Sequence, residues 1–195
     1  MDIADTLRII GSDGEDEKTI QLLGIRIFNS FASAFKVAFG GYSQVAALIL
    51  RDTLETVFLV DRFRRESEAI TRWREGKDWQ EFKPVSVRKF LDDADGFTTN
   101  KRAELYKLFC TLAGHPSASG FAMLRPHGQD AHLGPFIDAS VLNAVISEMG
   151  QLGMQASELL AHFLPTDEVR AIEACANYLP IRKAWLARFY PDAQT

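Results

Sequence analysis

The 195-residue sequence has few of the side chains from which metal and redox sites are usually built. It contains two cysteines and four histidines, and Cys110 and Cys175 lie far apart, outside any CxxC pairing. Both cysteines fall inside stretches with helical periodicity, so we expect buried thiols that take no part in a disulfide or metal site. No motif indicates a bound cofactor, and we expect none.

The sequence also lacks common catalytic motifs and an excess of positive charge. It has no GxSxG elbow and no glycine-rich phosphate loop. The net charge of −4 gives no overall field that would attract a phosphate backbone. The most basic stretch, residues 62–77, includes Trp73, which could stack on a base, but acidic residues interleave with it. This pattern favours a solvated helix face, so RNA binding is open but is not supported by charge.

Membrane and export signals are missing as well. The sequence begins MDIADTLRII, without a basic region followed by an apolar run, so we do not expect a signal peptide. The least charged segment, Val37 to Leu50, is short and is interrupted by Gly40 and Gly41. We therefore expect a cytoplasmic protein without a membrane partner.

The sequence does contain the material for a helical core. Apolar residues make up 47% and charged residues 25%, as in an ordinary globular protein, and the length suits one domain spanning residues 1–195. Three- and four-residue apolar spacing predicts a long helix ending at Gly40 and a second from Ser43 to about Arg65, packed antiparallel. Shorter helices are predicted over residues 66–75, 86–94 and 101–113. Asp138 should cap a long helix reaching Phe163, followed by a final pair broken at Pro180.

One segment departs from helical periodicity. Two short apolar runs flank His127-Gly128-Gln129-Asp130, and Pro126 and Pro135 oppose helix formation. The predicted fold is therefore all-α, an antiparallel helical bundle with a small β-hairpin appendage near residues 120–136.

The second long helix carries the most informative polar pattern. At 3.6 residues per turn, Gln44, Arg51, Glu55 and Arg62 share one narrow stripe, while most of the helix is apolar. The stripe either faces solvent or lines a polar pocket, and Arg51 with Glu55 is accordingly either a structural ion pair or part of a site.

Histidines supply a second candidate. His127, Asp130 and His132 could hold a divalent ion if a hairpin brought them together, as a metal-dependent hydrolase would require. Their spacing matches no standard metal site, and polar turn residues beside prolines explain them equally well. We expect no metal.

Three stretches within residues 41–136, YSQVAALILRDTLETVFLVDRF, LYKLFCTLAGHPS and HLGPF, resemble a family of bacterial helical proteins of the domain-of-unknown-function 5677 type, distantly HEPN-like. Its recognisable pieces here are Arg51-x3-Glu55, Tyr106 with His115-Pro116, and Gly134-Pro135. The resemblance implies an antiparallel helical core, frequent dimerisation, and a role in phage defence or toxin systems, sometimes as a metal-independent ribonuclease.

The ribonuclease signature of the wider HEPN group is an arginine followed at a short interval by a histidine. This chain has only Arg125-x6-His132, which falls in the predicted hairpin instead of on a helix, with Pro126 in place of the usual polar residue.

Two hypotheses about function follow. The leading one is a non-catalytic helical interaction or ligand-binding module, homodimeric through a long apolar helix such as Asp138 to Phe163. A protein partner is a further candidate. The alternative is a metal-independent ribonuclease with a catalytic pocket of Arg51, Glu55, Tyr106 and His115. There the histidine would act as acid or base and the arginine would stabilise phosphate charge.

Overall fold

A computed structural model describes residues 2–12, 14–128 and 130–191 of the chain. The described residues form eight α-helices, which confirms the all-α prediction. The helices are α1 (Asp2–Ile9), α2 (Glu15–Phe39), α3 (Ser43–Arg65), α4 (Glu68–Arg74), α5 (Pro84–Ala94), α6 (Lys101–Phe109), α7 (Ala139–Ala161) and α8 (Val169–Phe189).

Helices α2 and α3 form the predicted antiparallel pair. The chain reverses at Gly41, whose φ of +84° is readily adopted only by glycine. A β-carbon there would also lie 2.8 Å from the backbone nitrogen of Phe136, so glycine is required for the close approach of the 136 segment. Farther along the pair, the Arg26 guanidinium of α2 contacts the Asp52 carboxylate of α3 at 2.7 Å.

Helix α3 lies at the centre of the core. Leu50, Val57, Val60 and Phe63 are fully buried on it, and α2, α5, α6 and α7 all pack against it. Helix α7 begins where Asp138 accepts hydrogen bonds from the backbone nitrogens of Ser140 and Val141, as the sequence predicted. Because α3 packs against four helices, Arg51 and Glu55 are partly buried, whereas Asp52 lies on an exposed part of the helix.

Helix α2 is the one described helix that is long and apolar enough to cross a bilayer. It has a mean hydropathy of 1.3 over the relevant window, of which 28% is buried. Core helices of soluble proteins meet the same criterion of length and composition. Here α2 contributes Ile20, Leu23 and Ile27 to the buried core.

The predicted hairpin near residues 120–136 is wrong. Apart from residue 129, which lies outside the described residues, this segment forms 3-10 turns at Ser119–Met123 and Pro126–Gly128 and then runs irregularly, with no strand. Pro126 and Pro135 lack the backbone N–H that a ladder needs. The segment is held instead by isolated backbone bonds, from His132 to Leu124 and from Phe136 to Gly41.

Two predicted helix ends are also corrected. The helix predicted over residues 101–113 ends at Phe109 and continues as one π-helical turn, Cys110–Gly114. The predicted break at Pro180 is absent, because α8 runs through it. A proline inside a helix removes one hydrogen bond, and here α8 packs against α1 and buries Ala171 and Ala174, which offsets that loss.

The basic run after residue 61 is not merely a solvated face. Asp61 and Arg62 are only 3% and 6% exposed. Charged side chains of α3, of α5 and its C-cap, and of α6 form a network that we call the Arg102 cluster, and Arg64 joins it through Asp61. The cluster consists of Asp61, Arg65, Asp92, Asp95 and Arg102. Arg62 and Arg72 pair in turn with Glu66 and Glu81. Carboxylates thus neutralise much of the run that could otherwise bind a phosphate backbone.

Candidate functional site

Three of the four residues predicted as a catalytic pocket lie together. Arg51 and Glu55 sit one turn apart on α3, and Tyr106 reaches them from α6. Both Nε and Nη2 of Arg51 donate to the Tyr106 hydroxyl, at 3.1 and 2.9 Å. Arg51 Nη2 also lies 3.5 Å from Glu55 Oε1. The Arg51 and Glu55 side chains are 25% and 22% exposed, so this triad is partly closed to solvent.

The electrostatics of the triad keep Tyr106 protonated. Burial raises the pKa of Tyr106 to about 12, with Glu55 and Cys110 acting in the same direction and Arg51 opposing them. The pKa of Arg51 is also raised: burial lowers it, but Tyr106 and Glu55 outweigh that effect. At neutral pH the phenol is therefore a hydrogen-bonding group, not a base or a nucleophile.

His115 is not joined to the triad. Its neighbour Gly114 approaches α3 so closely that a β-carbon there would lie 3.3 Å from Cδ of Arg51. The His115 side chain is nevertheless exposed, and it makes no hydrogen bond or ion pair with any residue of the described ranges. The acid–base partner that the ribonuclease hypothesis requires is thus missing from the contacts of Arg51.

The histidines around residue 130 do not converge on a metal site. The His127 ring lies 3.3 Å from the Ser140 hydroxyl and 3.5 Å from Asp138. The His132 ring stacks on Phe136 with centroids 4.5 Å apart. Within the described part of the chain, no group of three or more His, Cys, Asp or Glu side chains could hold a metal ion. The Arg125-x6-His132 pattern also lies outside the α-helices.

The structure adds a residue that the sequence reasoning missed, Arg88 of α5. Its guanidinium carbon lies 4.0 Å from the centroid of the Tyr106 ring, so Arg88 contacts the predicted triad. The Nε and Nη1 atoms of Arg88 are buried without a hydrogen-bond partner among the described residues. A buried donor without an acceptor costs about 1–3 kcal/mol, which makes this the least satisfied polar group near the triad.

Arg88 lines a cleft, which we call the Arg88 cleft, between α2, α3 and α5. The cleft has a volume of about 310 Å³ and shares Glu55 with the predicted set. Its walls are mainly apolar and aromatic, and the exposed pair of Arg26 and Asp52 stands at its edge. The apolar wall consists of Leu23, Phe58, Leu59, Trp73, Phe82, Pro84 and Val87. A concave apolar surface with a few convergent polar groups is the usual form of a small-molecule site.

A signal for Arg88 was present in the sequence. Pro84, Val87 and Leu91 lie three or four residues apart around it, so Arg88 occupies the apolar stripe of its helix. A charged residue on such a stripe must be paired or must face a cavity. The sequence alone could not tell these apart, because the partner or cavity comes from other helices.

No family model, curated protein or solved structure matches this chain. The family resemblance carried by Arg51, Glu55, Tyr106 and His115 therefore remains a prediction.

Proposed function

We propose that this protein is a non-catalytic ligand-binding module that takes a small organic anion in the Arg88 cleft. The observation that carries the proposal is the Arg88 guanidinium, which lines the cleft while two of its donors are buried without acceptors. These donors are closed to solvent in the free protein, so the Arg88 side chain would turn them toward the cleft, where an anionic oxygen would satisfy them through charge-assisted hydrogen bonds.

The cleft also indicates what else the ligand carries. Trp73 and Phe82 stand in a mainly apolar wall, which favours a ring or a short hydrocarbon portion. A volume of about 310 Å³ admits a metabolite-sized molecule. An aromatic or aliphatic carboxylate or phosphate ester fits both the donors and the wall.

The surrounding groups support binding more than chemistry. Arg51, the cation of the triad, already donates a hydrogen bond to Tyr106 and lies beside Glu55. Tyr106 keeps its proton, since its pKa is raised to about 12. The two carboxylates that line the cleft are already paired, Asp52 with Arg26 and Glu55 with Arg51, so neither stands free as a base beside a bound anion.

Titration calorimetry with phenyl phosphate, benzoate and neutral benzyl alcohol tests the proposal. We expect the anions to bind more tightly than the alcohol, and Arg88→Met to weaken anion binding by about tenfold or more, the value of a charged hydrogen bond. Arg170→Met, which changes an exposed arginine outside the cleft, is the matched control. Equal binding by Arg88→Met, or no anion binding by folded wild-type protein, would contradict the proposal.

Arg88→Met should also affect the free protein in the opposite direction. It removes two partnerless donors but keeps an apolar chain against Tyr106. We expect the free energy of unfolding to rise by about 1 kcal/mol in urea denaturation. A gain in stability together with a loss of binding separates a ligand site from a structural arginine.

The alternative is a metal-independent HEPN-like ribonuclease. The observation in its favour is that Arg51, Glu55 and Tyr106 lie in contact. It predicts cleavage of single-stranded RNA in the presence of EDTA, lost in His115→Ala. Cleavage that depends on His115 would replace the binding proposal for this site.

A homodimer in the cytoplasm remains part of the proposal, but not through the apolar face of α7. Val145, Leu152 and Leu160 on that face are buried within the chain, where α7 packs on α2 and α3. Exposed apolar side chains cluster instead near the α2–α3 turn, including Phe35 and Phe39. Sedimentation of wild type and Phe39→Ser would report a dimer formed through that turn.

A further inference from the structure

Glu148 of α7 lies between two cavities on the other side of α3. The first, of about 300 Å³, lies between α6, α7 and α8. The second, of about 260 Å³, lies between α3, α6 and α7. Glu148 is one of two residues, with Phe109, that line both. It therefore stands where one ligand could extend into either cavity.

The Glu148 carboxylate has no partner. It makes no hydrogen bond or ion pair with any residue in the described ranges. Burial raises the pKa of Glu148, and no neighbouring cation counteracts the effect. By contrast Glu158, the other carboxylate of the first cavity, is paired with Arg182. The two cavities together thus carry one negative charge in excess, and it resides on Glu148.

Aromatic side chains surround the first cavity. Trp185 and Tyr190 of the α8 end and Phe109 of α6 line it. Trp185 packs directly on α7 at Gly150, where a β-carbon would lie 2.5 Å from Cη2 of the indole. Aromatic faces combined with a carboxylate are the usual means of binding an organic ammonium group.

The second cavity is almost wholly apolar. Apart from Glu148 and Ser140, it is lined by hydrocarbon and aromatic side chains: Ala47, Leu50, Leu108, Phe109, Leu112, Met123, Val141, Ala144 and Val145. Such a surface favours an alkyl or aryl group and offers nothing to a second charge.

From these contacts we propose that Glu148 marks a second binding site, for an amphipathic organic cation. The ammonium head lies at Glu148, against the aromatic side chains of the first cavity. The apolar tail occupies the second cavity, between α3, α6 and α7. A bare metal ion does not fit, because a metal needs several ligands and the described residues offer no such group. A fatty carboxylate does not fit either, because it would repel Glu148.

The test is calorimetry with octyltrimethylammonium, below its micelle-forming concentration, alongside 1-octanol and octanoate. We expect the cation to bind and the alcohol and the carboxylate to bind at least tenfold more weakly. Glu148→Gln, which preserves the shape of the side chain, should weaken binding of the cation at least tenfold. Glu173→Gln, on the exposed side of α8, should bind like the wild type. A permanent charge on the probe ensures that only the protein titrates.

A second variant tests the placement of the tail. Ala144→Phe should fill the apolar cavity. It should therefore weaken binding of octyltrimethylammonium but leave binding of tetramethylammonium unchanged. Thermal unfolding confirms that each variant is folded. Equal binding of cation and alcohol, unchanged binding by Glu148→Gln, or no binding by the wild type would each overturn the proposal. Failure here leaves the Arg88 cleft unaffected, because the two sites share no lining residue.

Discussion

The Arg102 cluster and the two proposed sites treat charge in opposite ways. In the cluster, Asp61, Asp92 and Arg102 are nearly buried and each meets an opposite charge. At the two sites, by contrast, Arg88 has two buried donors without acceptors, and the half-buried Glu148 carboxylate forms no hydrogen bond or ion pair with a described residue. The paired charges of the cluster thus connect helices, whereas Arg88 and Glu148 border cavities, where a ligand can complete them.

The largest effect is expected when the cluster is broken. Arg102→Met leaves Asp92, whose side chain is 5% exposed, without its ion-pair partner. We expect a loss of about 3 kcal/mol in the free energy of unfolding, measured by urea denaturation, because an uncompensated buried charge is costly. Arg170→Met, with its exposed arginine, is the control and should change stability by less than about 0.5 kcal/mol. A loss of stability as small as that of the control would show that the ion pairs of the Arg102 cluster do not stabilise the fold.

A smaller loss is expected within the triad. Tyr106→Phe removes the hydroxyl that accepts two hydrogen bonds from Arg51. We expect destabilisation by about 1.5 kcal/mol, since Arg51 keeps Glu55 and some access to water. Tyr42→Phe, at an exposed tyrosine, provides the reference. If both variants unfold alike in urea, the triad is not a structural unit.

The smallest effect concerns the pH dependence set by Glu148. Its pKa is raised in the folded protein by burial, so the native state holds the proton more tightly than the unfolded chain. Stability should therefore fall as pH rises from the ordinary carboxyl pKa through the raised one. Glu158, Arg182 and Tyr190 also line the cavity, but Glu158 and Arg182 neutralise each other.

In Glu148→Gln that fall should disappear. Solvent screening limits the difference to about 0.5 kcal/mol, because Glu148 is only half-buried. Chemical denaturation of the two proteins at several pH values between 4 and 8 measures it. Parallel curves would show that the carboxylate is paired in solution.

The sequence was informative wherever local periodicity decided the structure. The apolar spacing from Ile20 onward predicted α2, and Asp138 was recognised as the cap of α7. The hairpin was predicted because apolar runs flanked a polar turn, but Pro126 and Pro135 cannot complete a ladder. At Pro180, packing between α8 and α1 outweighed the local preference for a break.

The candidate site was only half predictable for a related reason. Arg51 and Glu55 share a helix, so their spacing revealed the pair, and the resemblance supplied Tyr106. Arg88 and Glu148 each lie on an apolar helix face, and nothing local distinguishes a paired charge there from an unpaired one. Whether a partner stands opposite depends on long-range packing of helices.

The central claim is that these two unpaired charges mark two independent ligand sites of opposite sign. The most direct measurement is calorimetry of phenyl phosphate and octyltrimethylammonium against wild type, Arg88→Met and Glu148→Gln. We predict that Arg88→Met loses binding of the anion only and that Glu148→Gln loses binding of the cation only. Binding of both probes that neither substitution changes would contradict it.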